Sequence, residues 1–316
     1  MQNNRNAYYT ALQARKRPTG VSGKDIIILV IIALVFIAIG LGVFLIFDKE
    51  EGLIAQNTED RSLKSSATAT NLETVVDRTK IPIDIAELPG GQYSGDDYIP
   101  ILTYHYIREL PGDDDPLGQN LSVSPENFAG QMAYLKSAGY ESMTFDNLRA
   151  GRIPEKPVII TFDDGYEDAY QNAFPVLKEN GMIGVFYVIT GYVGRDLYLT
   201  WNQISEMSDD GMVFGSHTVN HPDLTSANLS GAKIMEELTL SKRALEERLK
   251  KDINDFCYPS GKATTLTVDY VYDAGYKTAT STQITVVQKG NYLLWLPRLR
   301  IKNDSNLNYI LGQYGL

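Results

Sequence analysis

The sequence predicts an α/β domain on a mainly parallel sheet, preceded by one membrane-spanning helix and a polar stalk. Three observations support this: an uncharged apolar segment near the N-terminus, a weakly patterned polar region after it, and short apolar runs alternating with amphipathic helical stretches beyond. Strands that alternate with helices indicate a parallel sheet, either open or closed into a barrel. The 316 residues suit one large domain with appendages, or two small domains.

The N-terminal apolar segment covers residues 26–47, where every residue is apolar or glycine. At ~1.5 Å per residue this run is long enough to cross a bilayer. Basic residues predominate before it and acidic residues directly after it, which predicts a cytoplasmic tail at residues 1–25 and an extracytoplasmic remainder. A buried helix and a cleaved signal peptide are the alternatives. The run is longer than a signal peptide's apolar region and no small-x-small site follows promptly, so we expect a single-pass signal anchor in the cell membrane.

Residues 48–97 are polar and weakly patterned, which predicts a stalk, and the folded domain is expected at residues 98–316. Residues 156–162 form an apolar run without polar alternation, typical of a strand buried on both faces. Other strands are predicted at residues 99–107, 183–190, 212–217, 254–259, 276–280 and 295–301. Helices are predicted at residues 124–139, 168–181, 201–211 and 231–252, with Pro175 kinking or restarting the second.

The polar side chains that carry chemistry stand at strand ends. His105 lies late in the first predicted strand, Asp163 and Asp164 end the strand at 156–162, and His217 ends another. In a parallel barrel all strand C-termini open on one face, so these side chains are expected to converge there. Two adjacent carboxylates repel unless a cation or a reaction requires them. The sequence therefore predicts one site that contains both aspartates.

The motif "SHTVNH" at residues 216–221 places His217 and His221 four residues apart. On a helical turn this spacing points both rings to one side, and it is common among metal ligands. Paired histidines also cap and hydrogen-bond, but an Asp-Asp pair elsewhere favours a His/His/Asp metal site. Three protein ligands leave a position open for water, as catalytic zinc requires. We expect one divalent ion, zinc, with cobalt or another transition ion as the alternative.

Two motifs together resemble the NodB-homology polysaccharide deacetylases: "TFDDG" at 161–165 and "SHTVNHP" at 216–222. The stretch at 199–218 is also similar, and the resemblance covers about residues 98–302. It implies a distorted (β/α) barrel that removes N-acetyl groups from GlcNAc units of glycans. It also implies that Asp164, His217 and His221 hold the metal and that Asp163 is the catalytic base, with a metal-bound water as nucleophile.

The chain departs from the family in "FCYPSG" at 256–261, where Cys257 replaces an arginine and Ser260 an aromatic residue. The Ser260 backbone N–H is expected to face the developing oxyanion. Arg298 or Arg300 is expected to orient the base in place of the missing arginine.

The family's late histidine, which protonates the departing amine, is also absent, because no histidine follows His221. His105 in "LTYHY" is the remaining histidine and is similar to that of permuted family members. We expect it to be the general acid, with a structural role as the alternative. Tyr258 and Trp295 are candidates for stacking on sugar rings, although such aromatic residues are more often part of a core.

Composition limits the partners. A net charge of −10 argues against nucleic acid, and a single cysteine excludes an intramolecular disulfide. No feature implies a protein partner.

We expect a membrane-anchored N-deacetylase of a GlcNAc-containing cell-wall glycan, such as peptidoglycan or a wall polysaccharide, in a Gram-positive bacterium. The alternatives are a non-catalytic, metal-containing wall-binding module and an O-acetyl esterase that uses the same site.

Overall fold

The computed structural model describes residues 83, 88–110, 112 and 115–316. The predicted cytoplasmic tail, the apolar segment at 26–47 and most of the expected stalk lie outside the described residues. Within the described part, no helix has both the length and the apolar character needed to cross a membrane.

The described residues form an α/β domain on a parallel sheet, as predicted. Each strand is short, and β5 and β6 are buried along their whole length. The strands are β1 (Ile101–Tyr104), β2 (Tyr106–Ile107), β3 (Ser122–Val123), β4 (Glu141–Ser142), β5 (Pro157–Phe162), β6 (Gly184–Val188), β7 (Val213–Ser216), β8 (Asp255–Cys257), β9 (Thr278–Thr280) and β10 (Leu299–Arg300).

The main sheet has the order β10-β1-β5-β6-β7-β8-β9, and every pairing in it is parallel. β4 pairs with the start of β5, and β2 and β3 form a separate parallel pair. Leu296 bridges to Thr280 of β9, whereas Leu299 pairs with Leu102 of β1. One short segment therefore connects the two ends of the sheet and curls it into the expected distorted barrel.

The helices lie between the strands. Ser124 is the N-cap of the helix Pro125–Ser137. A π-helical turn at Ala169–Ala173 precedes the helix Phe174–Asn180, which has Pro175 in its first turn. The helices are α1 (Pro116–Leu121), α2 (Pro125–Ser137), α3 (Phe145–Arg149), α4 (Phe174–Asn180), α5 (Trp201–Asp209), α6 (Gly231–Leu249), α7 (Thr265–Asp273) and α8 (Leu307–Gly312).

The N-terminal boundary of the domain differs from the expected one. Leu88 and Tyr93, both placed in the stalk by the sequence, are buried in the core. The Tyr93 N–H donates to the Asn291 carbonyl at 2.8 Å, and the Gly290 N–H donates to the Tyr93 carbonyl at 2.8 Å. Residues 88–97 thus belong to the folded unit, because these two side chains are buried in the core and the Tyr93 backbone pairs with residues 290 and 291.

Candidate active site

The predicted site residues meet at the C-terminal ends of the parallel strands. His105 follows β1, the aspartate pair follows β5, His217 follows β7 and Ser260 follows β8. They border one pocket of about 300 Å³. Its lining consists of His105, Leu117, Leu121, Asp163, Asp164, His217, His221, Tyr258, Ser260, Gly261, Thr282 and Arg300.

Asp164, His217 and His221 point their donor atoms at a common centre. The Asp164 Oδ1 atom lies 3.4 Å from His217 Nε2 and 3.8 Å from His221 Nε2, and all three donors lie within 4.8 Å of one another. Donors bound tetrahedrally at ~2.1 Å from one ion would lie roughly 3.4 Å apart. The three side chains therefore form a group that could hold a metal ion.

The loop after β7 brings the two histidines together without a helical turn, contrary to the sequence expectation. Thr218 and His221 both have positive φ angles, 68° and 56°. The Thr218 hydroxyl accepts the His221 N–H at 2.9 Å, and the buried Glu237 carboxylate accepts the Val219 and Asn220 N–H groups at 3.0 and 2.8 Å. These bonds hold a strained backbone, a feature that clusters at functional sites.

A backbone contact orients His217. Its Nδ1 lies 2.7 Å from the Cys257 carbonyl oxygen, which accepts a hydrogen bond from the ring. The Nδ1 atom therefore carries a proton, and Nε2, which faces Asp164, is the ring atom available to a metal ion. A metal-binding histidine ordinarily has such a partner on its second ring nitrogen.

Asp163, His217 and Cys257 form a second group of closely spaced donor atoms. Its geometry suits a cation poorly, because the Arg298 Nη2 atom lies 3.1 Å from Cys257 Sγ and 2.7 Å from Asp163 Oδ2. A positive charge already occupies this position. The group of Asp164, His217 and His221 fits a metal better, because no lysine or arginine of the described residues forms an ion pair with it.

Arg298 binds Asp163 through both carboxylate oxygens. Its Nη1 atom donates to Oδ1 and its Nη2 atom to Oδ2, each at 2.7 Å. Burial by itself would raise the pKa of Asp163, but the charge and hydrogen bonds of Arg298 outweigh it and hold that pKa well below its ordinary value. Asp163 is therefore ionised and its carboxylate plane is fixed.

Arg298 is itself held in place. Its Nε donates to the Ser281 carbonyl at 3.0 Å and its Nη1 also donates to the Thr161 hydroxyl at 3.1 Å. Only 2% of the residue is exposed. The guanidinium thus reaches Asp163 from the segment that closes the barrel, and it passes beside Cys257, the position at which the sequence resemblance led us to expect an arginine.

His105 lies on the other side of Asp163. Its Nε2 is 3.8 Å from Asp163 Oδ2, and the side chain is 13% exposed. Burial lowers the pKa of His105, and the Asp163 carboxylate raises it by less, so the net pKa is below the ordinary value. The Asp163 carboxylate is thus a charge partner for this ring, but desolvation outweighs its effect.

The turn after β8 carries Ser260 to the pocket edge. Ser260 is exposed and has a positive φ of 55°, and Gly261 follows with a φ of 65°. A side chain at Gly261 would lie 2.3 Å from Thr282 atoms, so this turn requires glycine. Ser260 thereby lines the pocket.

Comparison with known proteins identifies the family. A family model described as polysaccharide deacetylase matches residues 150–279. BC0361, a polysaccharide deacetylase from Bacillus cereus, is 32% identical with a TM-score of 0.62, covering 69% of this chain and 69% of that chain. The chain belongs to the polysaccharide deacetylase family.

Two further relatives of this polysaccharide deacetylase are informative. The Streptococcus pyogenes deacetylase PplD, solved in complex with acetate, is 32% identical with a TM-score of 0.64, covering 69% of this chain and 98% of that chain. The poly-β-1,6-N-acetyl-D-glucosamine N-deacetylase of Staphylococcus aureus strain MRSA252 is 29% identical, covering 59% of this chain and 70% of that protein. Membership and these relatives indicate a hydrolase that acts on amide bonds.

The two aromatic residues that are candidates for stacking on sugars are packed into the core of this deacetylase, although Tyr258 also borders the pocket. Tyr258 is fully buried, and its hydroxyl donates to the Leu294 carbonyl at 2.9 Å. Trp295 packs edge-on against it, with ring centroids 5.4 Å apart, and is absent from the pocket lining. A stacking role for the Tyr258 ring is wrong, because neither face is accessible. Trp295 is a half-buried part of the same packing.

Several supporting residues of the deacetylase were not predicted from the sequence. Thr161 and Ser281 hold Arg298, Glu237 holds the histidine loop, and Leu117 and Leu121 form a wall of the pocket. The only sequence signal for any of them is the acidic residue within the long helix α6. Glu237 stands on the apolar side of that helix, in phase with the buried Ile234, Leu238 and Ser241.

Proposed function

We propose that this polysaccharide deacetylase is a metal-dependent N-deacetylase of GlcNAc residues in a cell-wall glycan. The observation that carries the proposal is the pairing of two arrangements at one pocket. One is the convergent donor set of Asp164, His217 and His221, and the other is the carboxylate of Asp163 fixed by Arg298 beside it. Metal binding alone needs only the first. The second supports catalysis over a non-catalytic wall-binding module.

The donor set, one carboxylate and two imidazoles, suits zinc, and cobalt or another transition ion would fit the same ligands. Such an ion would lower the pKa of water and polarise the acetyl carbonyl. The Asp164 carboxylate and the two histidines would hold it at the base of the pocket.

Asp163 is proposed as the general base. Arg298 keeps its carboxylate ionised and fixes the direction of both oxygens, so that a lone pair is available toward the pocket. Arg298 is thus the positioning residue that replaces the family arginine at Cys257.

His105 is proposed as the general acid at the departing amine nitrogen. An amine anion is a poor leaving group, so cleavage of an amide needs a proton donor. Its Nε2 lies 3.8 Å from Asp163 Oδ2, which supports a role at the same acetamido group as the proposed base, and the Asp163 carboxylate favours the protonated ring that such a donor needs. The Ser260 backbone N–H at the pocket edge is proposed to stabilise the oxyanion.

The named relatives support the proposed substrate, and the N-terminal sequence supports the proposed location at the cell membrane. The named activity of the Staphylococcus aureus relative supports GlcNAc as the sugar, and the acetate bound to PplD supports an acetyl group as the part released. The apolar segment at 26–47 and the charge asymmetry around it support a single-pass anchor with the domain outside a Gram-positive cell. The polar stalk would let the domain reach wall polymers.

The test measures acetate release from GlcNAc oligosaccharides and from isolated cell wall by the full chain in detergent. We expect release that stops on chelation and in His217→Ala, with Tyr309→Ala on the exposed face of α8 as the matched control. Release by metal-free protein would contradict the proposal. Loss of O-acetyl groups with N-acetyl groups intact would identify an esterase, and bound metal without turnover would identify a binding module.

A further inference from the structure

A second cavity adjoins the catalytic pocket. It measures about 240 Å³, and we call it the side pocket. It shares Thr282 and Arg300 with the catalytic pocket, so the two are neighbours along one wall. Its lining consists of Thr103, Ser281, Thr282, Ile284, Arg298, Arg300 and Lys302. Ligand pockets in proteins usually exceed ~300 Å³, so the side pocket suits one substituent of a larger substrate.

The side pocket carries unneutralised positive charge. Of its three cations, Arg298 is paired with Asp163. For Arg300 and Lys302 the described part of the chain offers no carboxylate within ion-pair distance. The chain as a whole has a net charge of −10, so two unpaired cations beside the active site are opposite to the overall charge.

Exposed cations are ordinarily solvated, and charge alone would not make a site. Thr103 supplies a second, independent observation. It is 3% exposed and pairs in register with Arg300 across β1 and β10. Among the described residues its Oγ1 has no hydrogen-bond partner. A buried hydroxyl without a partner is uncommon and costs stability unless a ligand or water satisfies it.

We propose that the side pocket binds an anionic substituent of the glycan, a carboxylate or a phosphate, close to the acetamido group that is hydrolysed. Arg300 pairs with the anion, Lys302 adds charge, and the Thr103 hydroxyl donates to one of its oxygens. This inference rests on the proposed function and narrows its substrate class. A neutral GlcNAc polymer leaves the cations unpaired, whereas an acidic wall glycan fills the subsite.

The test compares tetrasaccharides of equal length that differ in charge. One is a neutral GlcNAc oligomer, one alternates GlcNAc with N-acetylmuramic acid and so carries carboxylates, and one is a GlcNAc oligomer with a phosphate monoester. We expect the wild-type full chain to have a kcat/KM about ten-fold higher for an anionic oligomer than for the neutral one. The comparison between the two anionic oligomers separates carboxylate from phosphate.

Arg300→Gln should reduce this preference about ten-fold, while Arg300→Lys, which keeps the charge, should retain most of it. Lys302→Gln should have a smaller effect in the same direction. Arg243→Gln, on the exposed side of α6, is the control and should leave the preference unchanged. Equal kcat/KM values for neutral and anionic oligomers, or an equal loss on all three in Arg300→Gln, would overturn the subsite.

Failure of the proposed function gives a different result, namely no acetate from any oligosaccharide. Calorimetric binding of the neutral and carboxylate oligomers then decides the subsite. The proposal requires tighter binding of the carboxylate oligomer and loss of that difference in Arg300→Gln, and equal affinities contradict it.

Discussion

Asp163 and Asp164 are neighbours in the chain but lie in different surroundings. Asp163 is 4% exposed and both its oxygens are bound by Arg298. Asp164 is 9% exposed and faces two imidazoles, His217 and His221, and no lysine or arginine among the described residues forms an ion pair with it. One carboxylate is neutralised by an arginine, whereas the other faces the two histidines that could share a metal ion with it.

The difference shows how one short motif can perform two tasks. Two like charges side by side would repel, and the fold avoids this by turning them apart. Asp164 has a positive φ of 73°, a strained conformation for a residue with a side chain. The turn sends Asp163 toward Arg298 and Asp164 toward the histidines, so the pair is divided between the proposed base and the proposed metal ligand.

The largest of the graded effects is expected at His105, the proposed general acid, whose Nε2 lies 3.8 Å from Asp163. His105→Ala should lower kcat on GlcNAc oligosaccharides by ~10²–10⁴-fold, the usual contribution of general acid catalysis, with metal content unchanged. The loss should shrink on an aryl acetate, whose leaving group departs without protonation. Steady-state kinetics on both substrates and metal analysis measure this.

Two results would contradict a catalytic role for His105. Full activity of His105→Ala on the glycan would show that it is structural. Equal losses on the amide and the aryl ester would show that it supports the metal or the fold.

A medium effect is expected from changing the counter-charge of Asp163. Arg298→Lys keeps the positive charge but loses the bidentate hydrogen bonds to Asp163. We therefore expect kcat to fall by about ten-fold while bound metal is retained. Arg248→Lys, on the exposed face of α6, is the matched control. Metal loss in Arg298→Lys would mean that the two aspartate environments are not independent.

The smallest expected effect concerns a third aspartate, which has no full counter-charge. Asp168 is partly buried, its Oδ1 has no hydrogen-bond partner in the described structure, and Arg108 lies 3.9 Å from Oδ2. Burial raises the pKa of Asp168 to about 6. Because the folded-state pKa is raised, the stabilisation from this group is complete below its unfolded pKa and is lost as pH rises through 6.

Asp168→Asn should therefore gain stability relative to wild type on going from pH 5 to pH 8, by on the order of 1 kcal/mol. Urea unfolding at both pH values measures the difference, with the exposed Asp209→Asn as control. The same difference in unfolding free energy at both values would contradict the assigned pKa. The contrast with Asp163 isolates what Arg298 contributes to a buried carboxylate.

Much of the fold could be predicted because short apolar runs alternate with amphipathic stretches, and the strand at 156–162 shows no polar alternation at all. Shorter elements were missed. The helix α3 has five residues and α8 has six, too few for a helical period to be visible. The order and closure of the strands depend on contacts between distant residues, such as Leu102 with Leu299.

The candidate active site could likewise be predicted only in part, because contacts between distant residues decide the rest. Strand ends identified the metal and base candidates, and the missing family arginine pointed to Arg298 or Arg300. The sequence could not choose, because residues two apart in a strand face the same side. The structure separates them by depth: Arg298 is buried at the level of Asp163, and Arg300 is exposed at the mouth. Burial of Tyr258 likewise depends on Trp295, a neighbour 37 positions away that alternation cannot predict.

The most direct test of the division between the two aspartates is the metal content of Asp163→Asn and Asp164→Asn, measured side by side with acetate release. We expect Asp163→Asn to retain the metal and lose turnover, since an amide oxygen accepts a proton too weakly to replace a carboxylate. Asp164→Asn should lose most of the metal and turnover together. Equal metal loss in both variants, with activity kept in Asp163→Asn, would contradict the account.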